Sequence, residues 1–564
     1  MIELDFKHDP KKNANLIANF SFRKFNLQKA VQETDRLFHE NAEQNPVTFT
    51  PAKKAGGITR LFKNFHHNFS RAFLTVNAGA NIQEFSTVAD ADGNLVPEWK
   101  SMLDEEYARL EREIEEEVCV GDFGAVGDGV TDDTEAFKKA IDRGKRRVII
   151  PPGVYITKGI RLPSWTILSG SGKGATTIKL NPSASKGTRL VTNMHHWWGN
   201  HHISVEGLSL DWNVERLGNT KKTSTWGNHS SCLTYANVTF GWVKETEAIN
   251  PGLHCFDISS TLYDYSGDGY RARGGSQFIW LDKLNGKGFG DDGITTHHSD
   301  NIFISNCHMC DPSGRAHAKG FSNSNGIEVD DGSRNVWLLN NSTARCFGGV
   351  EIKAHETSSA GNNVVIIGHL SLNDNRSYNF RHIGHHKNTD PDSATACNIR
   401  ATNLIAIAPK FTELYAESDP RALVVSAYKN VVINHFSLIG DPDYDYKGNP
   451  VIAIQYKAKN VVLSNVSIRD FKHAGSDIKI FGGEHHADHI SVRNVTVKNS
   501  APQAIRIGKG LKMVSIQNLE ATGFNGKYAV KADDPPFELS GVQAEGYSCL
   551  AAIAGKKYTS IVYR

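Results

Sequence analysis

The stretch GFGDDGITTHH, residues 288–298, sets two carboxylic acids side by side between glycines and ends a short alternating run on two histidines. These residue types can do acid–base work. Carboxyls crowded at one site do not all ionise at an ordinary pKa, so one keeps its proton while another carries charge. The competing reading is a hydrogen-bonded turn, which Asp and Gly build without any chemistry. The neighbouring strands decide which reading holds for Asp291 and Asp292.

Five segments around this stretch align on a small residue: DGYRAR (268–273), DGITTH (292–297), NGIEVD (325–330), GGVEIK (348–353) and YNFRHI (378–383). One and three places after it stand mostly apolar residues, among them Ile294, Ile327 and Val329, and Val350 and Ile352. A period of two turns these toward a core. Two and four places after it stand Arg271 and Arg273, Thr295 and His297, Glu328 and Asp330, Glu351 and Lys353, which face away from it. Stacked at a strand spacing of about 4.8 Å, the outer columns read Arg271, Thr295, Glu328, Glu351, Arg381 and Arg273, His297, Asp330, Lys353. Glutamates on neighbouring strands repel unless a cation or a ligand intervenes. That marks the outer columns as a candidate binding surface, against the alternative of a solvated charged face. A one-residue slip in register would exchange the two faces.

Beyond these segments, β-branched runs that carry Asn recur, among them DNIFISNCHM (300–309), RNVWLLNNST (334–343), KNVVINHFSL (429–438) and DHISVRNVTV (488–497). Short strands repeating in this way predict a parallel β-solenoid, in which each turn buries its inner residues against the next. Their period of two and their Val and Ile content argue against helices.

The composition of the 564-residue chain fits a folded protein, with 39% hydrophobic and 22% charged residues. A net charge of +2 gives no electrostatic reason to expect nucleic acid. No run of apolar residues is long enough to cross a membrane as a helix, and the first residues do not read as a secretory signal. Eight scattered cysteines are too few for a disulfide framework, and the lone Cys307-x-x-Cys310 lacks a second pair for zinc. Histidine pairs are frequent, but adjacent side chains on a strand diverge and no third ligand can be placed. No metal or other cofactor is therefore expected. Residues 26–44 and 58–76 read as helical within a region, 1–97, whose fold the sequence does not name. In 98–118, Leu103, Tyr107, Leu110, Ile114 and Val118 form one apolar stripe on a helix, which must meet either the protein's own body or other helices.

GDFGAVGDGVTDDTEAFKKAI (121–141) followed by RVIIPPGVYIT resembles the opening of the pectate-lyase-like parallel β-helix superfamily. In that superfamily the segment forms the helix that caps the solenoid and then its first strand. The acids of GDGVTDD read as turn and cap chemistry. The resemblance implies an all-β, right-handed parallel β-helix over 119–530, an N-terminal attachment region (1–97), a short helical stalk (98–118) and a C-terminal cap (531–564). Within the superfamily, the polygalacturonases carry catalytic aspartates in N-T-D-G and G-D-D motifs, followed by H-G and R-I-K. Asp268 in GDG stands in the place of the first acid, Asp291 and Asp292 in those of the second and third, and Lys353 in that of the lysine. By this resemblance Asp291 and Asp292 are acid and water-activating partner, and Asp268 is the other base. Two departures weigh against a galacturonan substrate: Asn325 replaces the histidine, and Glu351 replaces the arginine that helps hold a uronate carboxylate.

The order of attachment region, stalk and β-helix resembles phage tail spikes and baseplate fibres. It implies a virion protein that forms a homotrimer, contacts other tail or baseplate proteins through 1–97 and meets a host cell-surface polysaccharide without entering the membrane. Trp197 and Trp198 in MHHWWGNHH (194–202) offer faces suited to sugar C–H surfaces. With Arg271, Arg273, His297, Asn325, Glu328, Asp330, Glu351 and Lys353 they make up the expected substrate-binding set. Glycoside hydrolysis is the leading expectation. A lyase, a receptor-binding spike without catalysis and a structural adaptor stay open.

Overall fold

The structure is a computed structural model that describes residues 2–22, 24–44, 85–225, 229–261, 263, 273–385, 392–534 and 537–559. Parallel strand pairing runs from Glu116–Cys119 to Phe537–Ile553. In the early turns each strand pairs with the third strand after it, so three short sheets wind into a right-handed parallel β-helix. The parallel ladder continues past residue 530, where a cap was expected: Phe537–Ile553 pairs with Val514–Ala532, and only the short strand Lys556–Tyr558 turns back antiparallel.

One sheet carries the segments aligned above. It contains β1 (Phe256–Thr261), β2 (Ile294–Thr296), β3 (Asn325–Val329), β4 (Gly348–Ala354) and β5 (Arg376–His382). Ile294 pairs with Ile327, Ile327 with Val350 and Val350 with Tyr378, and all are fully buried in the core. Val329 and Ile352 form the neighbouring inner column, so the expected inner face holds. The small residue ahead of each strand has a steric cause. A Cβ on Gly293 would lie 2.6 Å from the Gly326 carbonyl oxygen, and one on Gly349 would lie 2.5 Å from that of Ser377.

Two alignments are corrected. The strand before β2 is β1, not DGYRAR, so Asp257 takes the column position expected for Arg271. Asp268 and Arg271 lie outside the described residues, and Arg273 opens a three-residue strand antiparallel to β1. In the ladder Arg381 stands beside Lys353 and Asn379 beside Glu351, because Tyr378 and not Phe380 pairs with Val350.

The N-terminal helices lie along the solenoid. Ile17 of α1 (Asn13–Phe20) is buried with Leu370 and Ile405, and α2 (Leu27–Gln44) places Leu37 and Phe38 on Val432 and Val462. Asp35 of α2 also holds Arg400 at 2.9 Å. The helix expected at 58–76 lies outside the described residues. The stalk expectation is corrected as well. α3 (Lys100–Glu113) ends before Ile114, and the chain then enters the first solenoid strand. Leu103 and Leu110 are fully buried against Ile167, Trp242, Phe303 and Trp337 of the β-helix. The apolar stripe is therefore covered within the chain and supplies no argument for helices meeting at a threefold axis. The last helix, α4 (Thr134–Ile141), seats Phe137 and Ile141 in the core with Val120 and closes the solenoid's first turn. The acids ahead of it serve the backbone as expected: Asp128 accepts from the N–H groups of Val130 and Thr131, and Asp133 from that of Val126.

Candidate active site

Asp291 and Asp292 occupy the turn that leads into β2. Stacking fixes this turn from both sides: the Asp291 N–H donates to the Leu253 carbonyl at 3.0 Å, and the Gly293 N–H to that of Asn325 at 2.9 Å. The turn reading is thus correct for the backbone, but it does not use up the side chains. They are 6% and 2% exposed and line a pocket of about 250 Å³, together with His254, His317, Glu328 and Lys353.

The two acids have opposite surroundings. Burial alone would raise both. At Asp291 the His317 ring, whose Nε2 lies 3.0 Å from Oδ2, overcomes it with help from Lys353, and the carboxyl is held well below its usual range. His317 is raised in turn, chiefly by Asp291. At Asp292, burial is reinforced by Glu328 and Asp291, and the carboxyl is pushed well above its usual range. The Asn325 backbone N–H and side-chain amide, at 3.0 and 3.1 Å from Oδ1, fix its orientation. The surroundings thus favour the charged form of Asp291 and the protonated form of Asp292, a division of the kind proton transfer uses.

His254 extends the pair. Its Nδ1 accepts from the Asp292 backbone N–H at 3.3 Å and lies 3.4 Å from Asp292 Oδ2. This contact assigns the ring proton to Nε2. Burial lowers the His254 pKa, so the ring is neutral. Its Nε2–H and Asp291 Oδ1 have no protein partner among the described residues. A buried donor and a buried acceptor are thus left to a ligand in the pocket.

Beside the pair, the two glutamates each have a cation. Lys353 Nζ lies 2.7 Å from Glu328 Oε1 and 3.7 Å from Asp330 Oδ2. Burial would lower the lysine, but Glu328 and Asp330 hold it well above its ordinary value. Glu351 pairs with Arg381 Nε and accepts from Asn379 Nδ2 at 3.1 Å. The repulsion expected in this column is relieved by the protein's own cations. The face is not the solvated charged face weighed as the alternative: Glu328, Asp330, Glu351 and Lys353 point away from the core, yet each is at most 5% exposed. Loops 311–324 and 408–420 pair alongside, the Ser322 N–H to the Leu414 carbonyl at 2.8 Å and the Ala416 N–H to that of Gly320 at 3.0 Å. The first of these loops delivers His317.

Next along the sheet, burial and Asp331 raise Asp330 to about 7. Asp331 accepts from Tyr263 Oη at 2.9 Å and lies 3.0 Å from His355 Nδ1. His297 stacks on Tyr263 and lies 3.4 Å from Asp257. Among the described residues, three sets could hold a metal ion by donor type and spacing: His254, Asp291 and Asp292; His297, Glu328 and Asp330; Asp330, Asp331 and His355. Lys353 already supplies a cation to the second set.

Asp291, Asp292, Asn325, Glu328, Asp330, Glu351, Lys353 and His297 thus gather on one face, as the sequence predicts. Trp197 and Trp198 belong to a loop that does not line this pocket. His254, Asp257, His317, Asp331 and His355 were missed. The alternation of Phe256 and Ile258 around Asp257 could have located β1. No comparable pattern marks His317, which reaches the site from a loop.

A family model described as rhamnogalacturonase A/epimerase, pectate lyase-like, matches residues 118–351, from the first solenoid strand to Glu351. The phage-related protein YobO of Bacillus subtilis strain 168 is 48% identical over 481 residues, covering 85% of this chain and 59% of that protein. The pre-neck appendage protein of Bacillus phage phi29 is 41% identical over 448 residues, covering 78% and 51%. The crystal structure of an N-terminal fragment of bacteriophage phi29 gene product 12 superposes with a TM-score of 0.73 at 38% identity, covering 79% of this chain and 73% of the fragment. The chain therefore spans between half and three fifths of the length of these curated relatives.

Proposed function

The chain belongs to the phage-type family of pectate-lyase-like parallel β-helix proteins, and from that premise we propose that it is a virion appendage that cleaves a host cell-surface glycan by hydrolysis. The observation that carries this reading is the buried Asp291–Asp292 pair in one pocket, with His317 lowering the first carboxyl, burial and Glu328 raising the second, and the Nε2–H of His254 left to a ligand. Asp292 would protonate the leaving oxygen, Asp291 would take a proton from water, and the Nε2–H of His254 would hold a sugar oxygen. Asp268, outside the described residues, remains a candidate further base. Glu351, already paired with Arg381, puts a carboxylate where a uronate would need a cation. A polymer other than galacturonan follows from that.

The appendage role rests on the names of the relatives: one is a pre-neck appendage protein and another is phage-related. Attachment to other phage structural proteins and assembly as a homotrimer belong to the same proposal. A receptor-binding appendage without catalysis is the second reading. It is favoured by the pairing of Glu328 and Glu351 with the chain's own cations.

Incubating the protein with cell-wall polysaccharide from a Bacillus host separates these readings. New reducing ends without an unsaturated product support hydrolysis. An absorbance rise near ~235 nm, where C4–C5 unsaturated uronates absorb, would mean lyase chemistry, which needs a base and charge stabilisation instead of a protonated acid. Adsorption to cells with neither product would leave the binding role alone.

A further inference from the structure

A second groove lies where loop 194–202 meets the turns after it. It encloses about 450 Å³ and is lined by Arg109 of α3, Trp165, Trp198, His201, Phe240 and Gln277, among others. It shares no lining residue with the acidic pocket. The rings of Trp165, His202 and Phe240 along its wall, and of Phe278 beyond it, pack from turn to turn at centroid distances of 4.0, 5.2 and 5.3 Å, the middle pair tilted by 49°.

The backbone beneath these rings is unusual. All four residues are left-handed, with φ of 61°, 53°, 59° and 55°. They occupy one ladder position, which the next turns fill with Asn301, Asn335 and Asn363. Asn tolerates this conformation, whereas bulky aromatic residues adopt it at a cost. The turn alone would be better served by Asn throughout. Backbone strain of this kind concentrates where a ligand is held. Packing beneath α3 accounts for the Phe278 end, where Trp99 stands 5.8 Å away, and for His202, whose Nε2 lies 2.6 Å from Glu106 of α3. The Trp165-to-Phe240 end opens into the groove, beside Trp198, which is 62% exposed.

The polar lining points to one kind of occupant. Gln277 offers an amide, Arg109 offers a guanidinium 5.4 Å from the Trp165 ring and 3.4 Å from Glu106 Oε2, and no carboxylate is among the described lining residues, whereas the amide of Asn200 is already bonded to Ser164, Asn193 and the His195 N–H. Aromatic faces with amide and guanidinium donors suit a sugar ring that bears an anionic group. We propose that this groove is a second saccharide site, separate from the acidic pocket, which binds an acidic sugar unit of a surface polymer by stacking on Trp198 and Trp165 and pairing with Arg109. It has no acid pair, so it binds without cleaving and does not depend on the hydrolytic reading.

Co-sedimentation of the full chain with purified cell walls of Bacillus subtilis strain 168 tests this. Trp198→Ala and Arg109→Ala should each weaken wall binding by about tenfold, the size of one good stacking or charged contact. Phe411→Ala, which removes an exposed aromatic outside the groove, should bind as wild type. Unchanged thermal unfolding of Trp198→Ala excludes misfolding as the cause of a loss. Wild-type binding in both groove variants, or no binding of the wild-type chain to walls, overturns the proposal. Absence of glycan cleavage with wall binding intact would overturn the hydrolytic reading alone.

Discussion

At the scale of single residues, the site rests on how neighbours divide two adjacent carboxyls. His317 favours the charged form of Asp291, while burial, Glu328 and Asp291 favour the protonated form of Asp292. The rate of glycan cleavage should therefore follow a bell in pH, falling in acid as Asp291 takes a proton and in base as Asp292 loses one. His317→Gln removes the group that lowers Asp291, so the acid limb should move to higher pH. An acid limb unmoved in that variant would contradict the assignment. Stability has its own pH dependence. Burial would lower His355, but Asp331 raises it to about 9. A raised folded pKa means that this contribution is complete below the unfolded histidine value of about 6.5 and is lost as pH rises through the folded value. The melting temperature of wild type should fall between those values more than that of His355→Gln, measured by circular dichroism. The sequence exposes Asp291, Asp292 and the outer columns because period-2 strands fix which face each residue takes. It hides His254, His317 and His355 because they flank strands or sit in loops, and no periodicity governs where loops return.

At the scale of elements, stacking determines what was readable. The columns through Ile327 and Val350 follow from local alternation, and the glycines ahead of them follow from the next turn's carbonyl. Gly293→Ala should accordingly destabilise the fold by about 1–3 kcal/mol, the usual cost of forcing extra volume into a packed site. Equal denaturant midpoints for variant and wild type would count against that packing. The displaced alignment at β1 has the opposite cause: DGYRAR carries the right local pattern, but the ladder is completed by a strand several residues earlier. α3 gives a related lesson, since an apolar stripe does not say which surface it will meet. With Leu103 fully buried against the solenoid, Leu103→Ala should cost about 2–5 kcal/mol in urea unfolding. A stripe reserved for other subunits would instead change assembly without that loss.

At the scale of the whole molecule, a parallel β-helix places a polar, acid-rich face on a rigid core, and one relative is named a phage pre-neck appendage protein. Trimerisation remains a proposal drawn from the tail-spike resemblance. Light scattering should give three times the 62.1 kDa chain mass at micromolar concentration, and a monomer would refute it. The central claim is that Asp291 and Asp292 break glycosidic bonds. The most direct test measures release of reducing ends from host cell-wall polysaccharide by wild type, Asp291→Asn and Asp292→Asn, with thermal unfolding as a control for folding. Each variant should fold and lose turnover by about 10² or more, the typical reach of general acid–base catalysis. Full cleavage by both folded variants, or none by wild type, would contradict the claim and leave GDDG a turn.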